Sequence, residues 1–481
     1  MADRPYIFFE LTNSLCSRCL RKVEAKVIIQ EGRVYLLKHC PEHRYEKVLI
    51  ATDADYYVSC RRALKPGTMP HHFNTSIERG CPYDCGLCPD HEQHSCLSLV
   101  EITDCCNLTC PVCYADSSPR RVAHRSLEQV AFLLDRVVAN EGRPDVVQIS
   151  GGEPTIHPEF FEILDLAKAR PIKHLMVNTN GLRIARDAEF TRRLAGYMPG
   201  FEVYLQFDSL DAAPQKTLRG ADLVDVHKRA LEHLNEHNIS TTLVVTLRKG
   251  LNDDQIGAIV EFALGQPCVR GVTFQPVQAA GRVEGFDPAR DRLTLSEVRS
   301  LLLEQSPHFR PQDIVPVPCH PDCLAMAYAL KLGGRVIPLT QFLDPSRLLE
   351  MQQNTIILEQ DPELRRLVVE LFSTSHSPDS SAGTLRQLLC CLPELSVAPR
   401  LTYDKIFRVL IVQFLDAYNF DVRSVKKSCI HIVHPDGRII PFDTYNLFYR
   451  DTASGRWPLP AAAGLPVLAG ARACAGAGAN P

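Results

Sequence analysis

The sequence predicts an α/β fold: a partial barrel of six βα units, with a small metal-pinned β module ahead of it and a Cys-bearing accessory region behind it. Three observations carry this prediction. From Leu97 onward, short β-branched runs alternate with longer segments of 3.6-residue apolar period, the pattern of a parallel sheet covered by helices. The 19 Cys of the 481-residue chain cluster as C-x2-C and C-x3-C-x2-C, the spacing of metal and iron-sulfur ligands rather than of an evenly spread disulfide framework. No stretch reaches about 18 uncharged apolar residues, so no membrane-spanning helix is expected.

Residues 1–60 pair a CSRC knuckle with the strand-like runs KVIIQ and RVYLLKHC about a turn at Gly32. Cys16, Cys19, Cys40 and His43 give C-x2-C-x20-C-x2-H, two chelating knuckles that form a tetrahedral site for one zinc or for a single rubredoxin-like iron. A solvated turn histidine is the alternative for His43. Residues 61–96 are rich in Pro, Gly, His and Cys and have little periodicity, so their order is expected from a bound metal or cluster. In that segment Cys81, Cys85, Cys88 and Cys96 supply four thiolates for an accessory iron-sulfur cluster, with zinc as the alternative.

Residues 97–285 hold the barrel. Its strands are LSLVEI, DVVQIS, KHLMVN, EVYLQF, TTLVVTL and GVTFQP, and its helices are expected over Leu127–Ala139, Pro158–Lys168, Asp187–Ala195, Leu223–His237 and Asp254–Leu264. Ligands of such sheets sit at the carboxyl ends of the strands, which draws attention to the polar residues there. Residues 286–455 are read as an accessory cluster domain, with a helix over Leu401–Ala417 and a hairpin, IHIVHPDGRIIPF, turning at Asp436-Gly437. Cys319, Cys323 and Cys429 punctuate it and form a third ligand set, whose fourth member is open between Asp443, Cys390 and Cys391. The Ala-, Gly- and Pro-rich residues 456–481 read as a disordered tail.

Net charge is −3, so the chain has no global basic field for nucleic acid, and no nucleic-acid partner is expected. The N-terminus lacks a basic stretch followed by an apolar one, which implies a reducing, cytoplasmic location.

The class is decided at two strand ends. Out of the first strand comes Cys106-Asn-Leu-Thr-Cys110-Pro-Val-Cys113; three thiolates leave one iron of a cubane open for a substrate or cosubstrate. The second strand runs directly into Gly151-Gly152-Glu153-Pro154, where two glycines permit close backbone approach and Glu153 can accept from an ammonium group. In this order the two motifs resemble the radical S-adenosylmethionine (SAM) superfamily, over roughly residues 97–285. The resemblance implies that Cys106, Cys110 and Cys113 hold a catalytic 4Fe-4S cluster and that SAM chelates its open iron. Gly151, Gly152 and Glu153 would then stand at the amine, with Pro154 in the same cofactor-binding turn. Asn180, Gln206 and Asp208, at later strand ends, place hydrogen-bonding groups on the same edge, as do Thr246, Asn252 and Gln275; each alone is equally a cap or a turn former. Cys105 is left out of the ligand set.

The wider layout, with the N-terminal C-x2-C module, the second C-x3-C-x2-C, PVPCHPDC and KKSCIHIVHPDGRIIPF, resembles the archaeal tetraether lipid synthase and its bacterial relatives over about residues 12–450. That likeness implies a rubredoxin-like iron, up to two accessory 4Fe-4S clusters beside the catalytic one, and carbon-carbon coupling of lipid tails. Its partners would be a lipid or other C–H substrate, a low-potential electron donor and the inner membrane face as a peripheral surface. The family often has Cys where Asp443 stands. On this reading a 5'-deoxyadenosyl radical abstracts hydrogen from an unactivated C–H position. The alternatives are radical methylation or other modification of a small molecule and, in a different class, a zinc-binding interaction protein. A long apolar pocket, built partly by Leu401–Tyr418, is expected of the lipid reading, with plain protein core as its rival.

Overall fold

The computed structural model describes residues 5–332, 335–341 and 405–450. The N-terminal module is a four-stranded antiparallel meander: β1 (Ile7–Leu15), β2 (Lys22–Gln30), β3 (Arg33–Cys40) and β4 (Arg44–Ala51). The expected runs became β2 and β3, and the turn between them is the two-residue type whose central positions are both left-handed, Glu31 at φ 53° and Gly32 at φ 71°. Alternation buries Ala25, Val27, Val34 and Leu36 on one face, against Ala54 and Tyr57 of helix α1 (Ala54–Cys60). Lys38 bolts the module to the rest of the chain. Its ammonium is almost wholly buried and donates to the carbonyls of Leu15 (3.0 Å), Ala417 (3.1 Å) and Tyr418 (2.9 Å) while pairing with Glu46 at 2.9 Å.

All six expected barrel strands are present: β5 (Leu97–Thr103), β7 (Val146–Gly151), β8 (His174–Thr179), β9 (Phe201–Gln206), β10 (Thr241–Leu247) and β11 (Val269–Pro276), with the two-residue strand β6 (Val112–Cys113) between β5 and β7. They run parallel and lie side by side in chain order. Helices α2 (Leu127–Glu141), α3 (Phe160–Lys168), α4 (Leu182–Arg186), α5 (Ala188–Ala195), α6 (Ala212–Arg219), α7 (Val224–Glu236) and α8 (Ile256–Leu264) fill the crossovers. A Ser126 capping box with Gln129 starts α2, as the Ser-x-x-Gln spacing requires. Outward-facing Val147, Ile149, Leu175, Val177, Val203, Leu205, Leu243 and Val245 form the sheet side of the main core. Each such side chain contributes roughly 1.5–3 kcal/mol by leaving water.

The sheet continues past both edges of the six-stranded unit. Beyond β11 lie β16 (Ile406–Val412), parallel to it, and β14 (Leu324–Leu332), antiparallel to β16. On the other edge β17 (Ile430–Val433) runs parallel to β5 and turns back into β18 (Ile439–Pro441) through Gly437 at φ 91°, the expected hairpin. Short strands β12 (Arg282–Val283), β13 (Val315–Pro316) and β15 (Arg335–Pro338) complete the set.

The expectation of a helix over Leu401–Ala417 is corrected. Residues 406–412 are a strand, and its two faces are both covered: Phe407, Val409 and Ile411 enter the main core while Leu410 and Val412 face the barrel interior. A short apolar run buried on both sides has no polar stripe, so helical and strand periodicity cannot be told apart in it, and the Val/Ile content decides for the strand. Cys390, Cys391 and the tail 456–481 lie outside the described residues. Among the described residues no helix is long and apolar enough to cross a membrane.

Candidate active site

At the carboxyl end of β5 the chain loops through Cys106 and Cys110 to Cys113, which lies in β6 and pairs with Arg282 of β12. Arg282 clamps this loop with three donors: Nε to the Cys110 carbonyl at 2.6 Å, Nη1 to Asp116 Oδ1 at 2.8 Å and Nη2 to the Ser117 carbonyl at 2.8 Å. The three Cys line one cavity of about 200 Å³ inside the barrel mouth. Burial pushes the thiols of Cys106 and Cys110 upward; Glu153 then adds to this at Cys106, while Arg219 opposes it at Cys110. Two buried thiols and the half-buried Cys113 that converge on one cavity fit an iron-sulfur cluster, whose iron supplies the positive charge their thiolate forms need.

Close approach explains the two glycines at the end of β7. A Cβ on Gly151 would sit 2.1 Å from the Thr103 carbonyl oxygen, and one on Gly152 would sit 2.1 Å from that of Cys105. The backbone bonds Gly152 N–H to Thr103 (2.7 Å) and Glu153 N–H to Cys105 (2.9 Å) stitch this turn to the start of the cluster loop. The glycines therefore serve protein-to-protein contact as well as any ligand.

Glu153 is 1% exposed and ties three elements together. Its Oε1 accepts from the Thr155 backbone (3.1 Å), the Thr155 hydroxyl (2.5 Å) and the Thr179 hydroxyl (2.7 Å); its Oε2 accepts from the Asn180 backbone at 2.8 Å. Burial raises its pKa and these bonds oppose the rise. Since Oε2 holds one bond, it retains a lone pair for an ammonium donor. Pro154 begins the short 3₁₀ turn that Glu153 caps. Asn180 is held at both polar atoms, with Nδ2 to Asn107 Oδ1 (2.7 Å) and Oδ1 accepting from Leu182 N–H (3.1 Å), and it lines the cavity. Gln206 donates to Asn178 Oδ1 at 2.7 Å.

Arg219 was not singled out by the sequence. Lying at the end of α6, it donates Nη2 to Asp208 Oδ1 (2.9 Å) and to Gln206 Oε1 (2.8 Å), and its Nε pairs with Asp208 Oδ2. Asp208 is fully buried at φ 58° and also accepts from the Thr246 backbone at 2.8 Å. An Arg before a helix-ending Gly is an ordinary C-terminal pattern, so only the fold could reveal its reach into the site.

The remaining Cys regroup. Cys16, Cys19, Cys40 and His43 converge as expected, with Cys19 and Cys40 sulfurs 3.9 Å apart and His43 Nδ1 3.4 Å from Cys16 and 3.6 Å from Cys40, the edge lengths of a tetrahedral single-metal site. Burial pushes the Cys40 thiol up, yet hydrogen bonds from His43 and Glu42 bring it down to about 6. Cys96, expected with Cys81, Cys85 and Cys88, instead lies with Cys319 and Cys429, all within 4.8 Å of one another. The reason is topological: Cys96 immediately precedes β5, and β17, which Cys429 immediately precedes, is the neighbour of β5. Cys323 is turned away from that trio toward Ser424 Oγ at 3.4 Å. Asp443 beside it accepts from Leu415 N–H at 2.6 Å, and burial raises its pKa to about 7. Cys85 contacts the Thr444 hydroxyl at 2.9 Å, and burial pushes its thiol up, with Cys81 and Cys88 adding to the rise.

Away from the Cys loop the cavity wall combines amides and hydroxyls with apolar side chains. Asn178, Gln206 and Gln275 share it with Met176, Leu410, Val412 and Phe414.

Comparison with known proteins agrees with this geometry. Residues 100–263 match the model described as Radical SAM superfamily, and residues 8–52 match the HMPTM N-terminal zinc ribbon domain. The chain is 29% identical to a 7,8-dihydro-6-hydroxymethylpterin dimethyltransferase of Methanocaldococcus jannaschii, over 93% of this chain and 96% of that one. It is 28% identical to a GTP 3',8-cyclase of Chlorobaculum tepidum over 40% of this chain and 59% of that protein. Among solved structures, Streptococcus suis SuiB bound to S-adenosylmethionine is similar at 18% identity and a TM-score of 0.37, covering 43% of this chain and 46% of that one.

Proposed function

The chain belongs to the radical SAM superfamily, and from that premise we propose that it is a methyltransferase acting on a pterin-class heterocycle. One observation carries the reading: the likeness to the pterin dimethyltransferase runs through the zinc ribbon, the barrel and the accessory Cys region alike, over 93% of the chain. It is thus a likeness of the whole architecture and not of the common core alone. The likeness to tetraether lipid synthases and its alkyl coupling give way to it. The apolar run on which the lipid pocket rested supplies Leu410, Val412 and Phe414 to the cavity, a wall that suits the flat face of a ring.

When bound, the cluster on Cys106, Cys110 and Cys113 together with SAM supplies radical abstraction of hydrogen from carbon. The chain's own residues do the rest. Glu153 Oε2 accepts from the cosubstrate ammonium, and through its other bonds it fixes the ends of β7 and β8. Arg219, held by Asp208, sets a cation beside Cys110. Asn178, Gln206 and Gln275 orient a polar ring, and the apolar wall excludes water from the radical.

The test is an anaerobic assay of the reconstituted enzyme with SAM, a low-potential reductant, 7,8-dihydro-6-hydroxymethylpterin and the small-molecule fraction of a cell extract as a source of one-carbon donors. The expected product is the pterin heavier by one or two methyl groups. An unchanged pterin, together with coupled chains when lipid extract replaces it, contradicts the proposal.

A further inference from the structure

Side chains on β7 alternate between two surroundings. Val147 and Ile149 point outward into the core under the helices, whereas Val146 and Gln148 face the cavity that also holds Cys106, Cys110 and Cys113. Gln148 stands in register with Leu99 of β5 and Met176 of β8, both apolar and both facing the same cavity. It is therefore an amide flanked on both neighbouring strands by apolar side chains.

Of the other amides of the wall, Gln206 holds Asn178 at 2.7 Å and Gln275 holds the Tyr204 hydroxyl at 3.0 Å, each with hydrogen-bonding capacity left for a ring, while Gln278, whose Oε1 has no partner, lies past the end of β11 and not within a strand. Gln148 is 3% exposed, and no hydrogen bond links its side chain to any described residue. Its amide opens onto the cavity, with its donors and acceptor available to a ligand that carries matching polar groups. The residue lies two positions before Ser150, roughly 7 Å along the strand, which sets it one layer deeper than the Gly151-Gly152 turn.

We propose that Gln148 reads the lactam edge of the substrate ring, its side-chain N–H donating to the ring carbonyl and its side-chain oxygen accepting from the adjacent ring N–H. A primary amide and a lactam pair through two such bonds, as Gln does with the paired edge groups of adenine. This inference rests on the pterin reading above and adds to it the residue that selects the substrate class: a heterocycle presenting a donor and an acceptor side by side.

Equilibrium binding of 7,8-dihydro-6-hydroxymethylpterin to the cluster-loaded, SAM-bound enzyme, without reductant, tests it. Gln148→Met, which keeps the length and removes both polar groups, should weaken binding by about 10- to 100-fold. Iron content, SAM affinity and Tm should stay at the wild-type level. An analogue methylated on the ring N–H should lose the same factor against the wild type and almost none against Gln148→Met, the signature of a direct pair in a double-mutant cycle. Wild-type affinity retained within twofold in Gln148→Met overturns this inference and leaves the pterin reading standing, as does additive loss in the cycle. A drop in Tm or iron content in Gln148→Met, with Gln148→Glu behaving alike, makes the residue structural and equally overturns it. Failure of the wild type to bind the pterin overturns the pterin reading, and this inference with it.

Discussion

Arg219 Nη2 lies 2.9 Å from Asp208 Oδ1, and the same guanidinium holds down the Cys110 thiol against the upward push of burial. Asp208 thereby positions a cation at the cluster loop without reaching the loop itself. Because Asn tolerates the left-handed φ that Asp208 adopts, Asp208→Asn removes the charge and keeps the backbone. It leaves a buried Arg unbalanced and should destabilise the protein by about 3 kcal/mol. Formation of 5'-deoxyadenosine should fall at least about tenfold. Thermal melts and product assays on the loaded enzyme check both effects.

Replacing Cys106, Cys110 or Cys113 singly by Ala should abolish 5'-deoxyadenosine formation while the zinc of the ribbon stays bound. The three side chains share one cavity and the ribbon ligands stand in another group, so the losses should separate cleanly in metal analysis. Cleavage of SAM retained in any of the three would sink the site.

His43→Ala in the full chain should lower bound zinc from one equivalent toward none and leave acid-labile sulfide unchanged. The ribbon ligands are spaced for one ion, and losing one of four ligands is a large fraction of its affinity. Loss of sulfide together with the metal contradicts the single-ion assignment.

Asp443 gives a pH dependence with a definite sign. Its pKa is raised from 3.8 to about 7 by burial, so it binds its proton more tightly folded than unfolded. The stability it contributes is full below pH 3.8 and is lost as pH rises through about 7. Asp443→Asn keeps an acceptor for Leu415 N–H, so the two proteins should differ little below the ordinary carboxyl value of 3.8 and the variant should gain on the order of 1–2 kcal/mol near pH 5. At pH 8 it should raise stability by an amount on the order of 2–4 kcal/mol. Were Asp443 a metal ligand, the variant would instead lose iron and stability at pH 8.

Much of this fold was legible because its signals are local. Alternating apolar runs marked all six barrel strands, and Cys106, Cys110, Cys113 and the Gly151-Gly152-Glu153 turn announced themselves by spacing at strand ends. What the sequence concealed depends on long-range pairing. Cys96 lies ten residues from Cys106 in sequence but joins Cys319 and Cys429, because the late strand Ile430–Val433 pairs with Leu97–Thr103. Residues 406–412 form a strand and not a helix because a run buried on both faces carries no period. Arg219 and Gln148 were unmarked because an Arg at a helix end and a Gln in a strand are common; only the barrel brings them to one cavity.

The central claim is that this radical SAM site acts on a pterin, and substrate-triggered turnover tests it most directly. The measurement is the initial rate of 5'-deoxyadenosine formation by the anaerobic, cluster-loaded enzyme, with and without 7,8-dihydro-6-hydroxymethylpterin, and with extracted lipid in parallel. A bound substrate completes the site and raises the rate, here by about tenfold or more with the pterin and not with lipid. A rate indifferent to the pterin and stimulated by lipid would contradict the account.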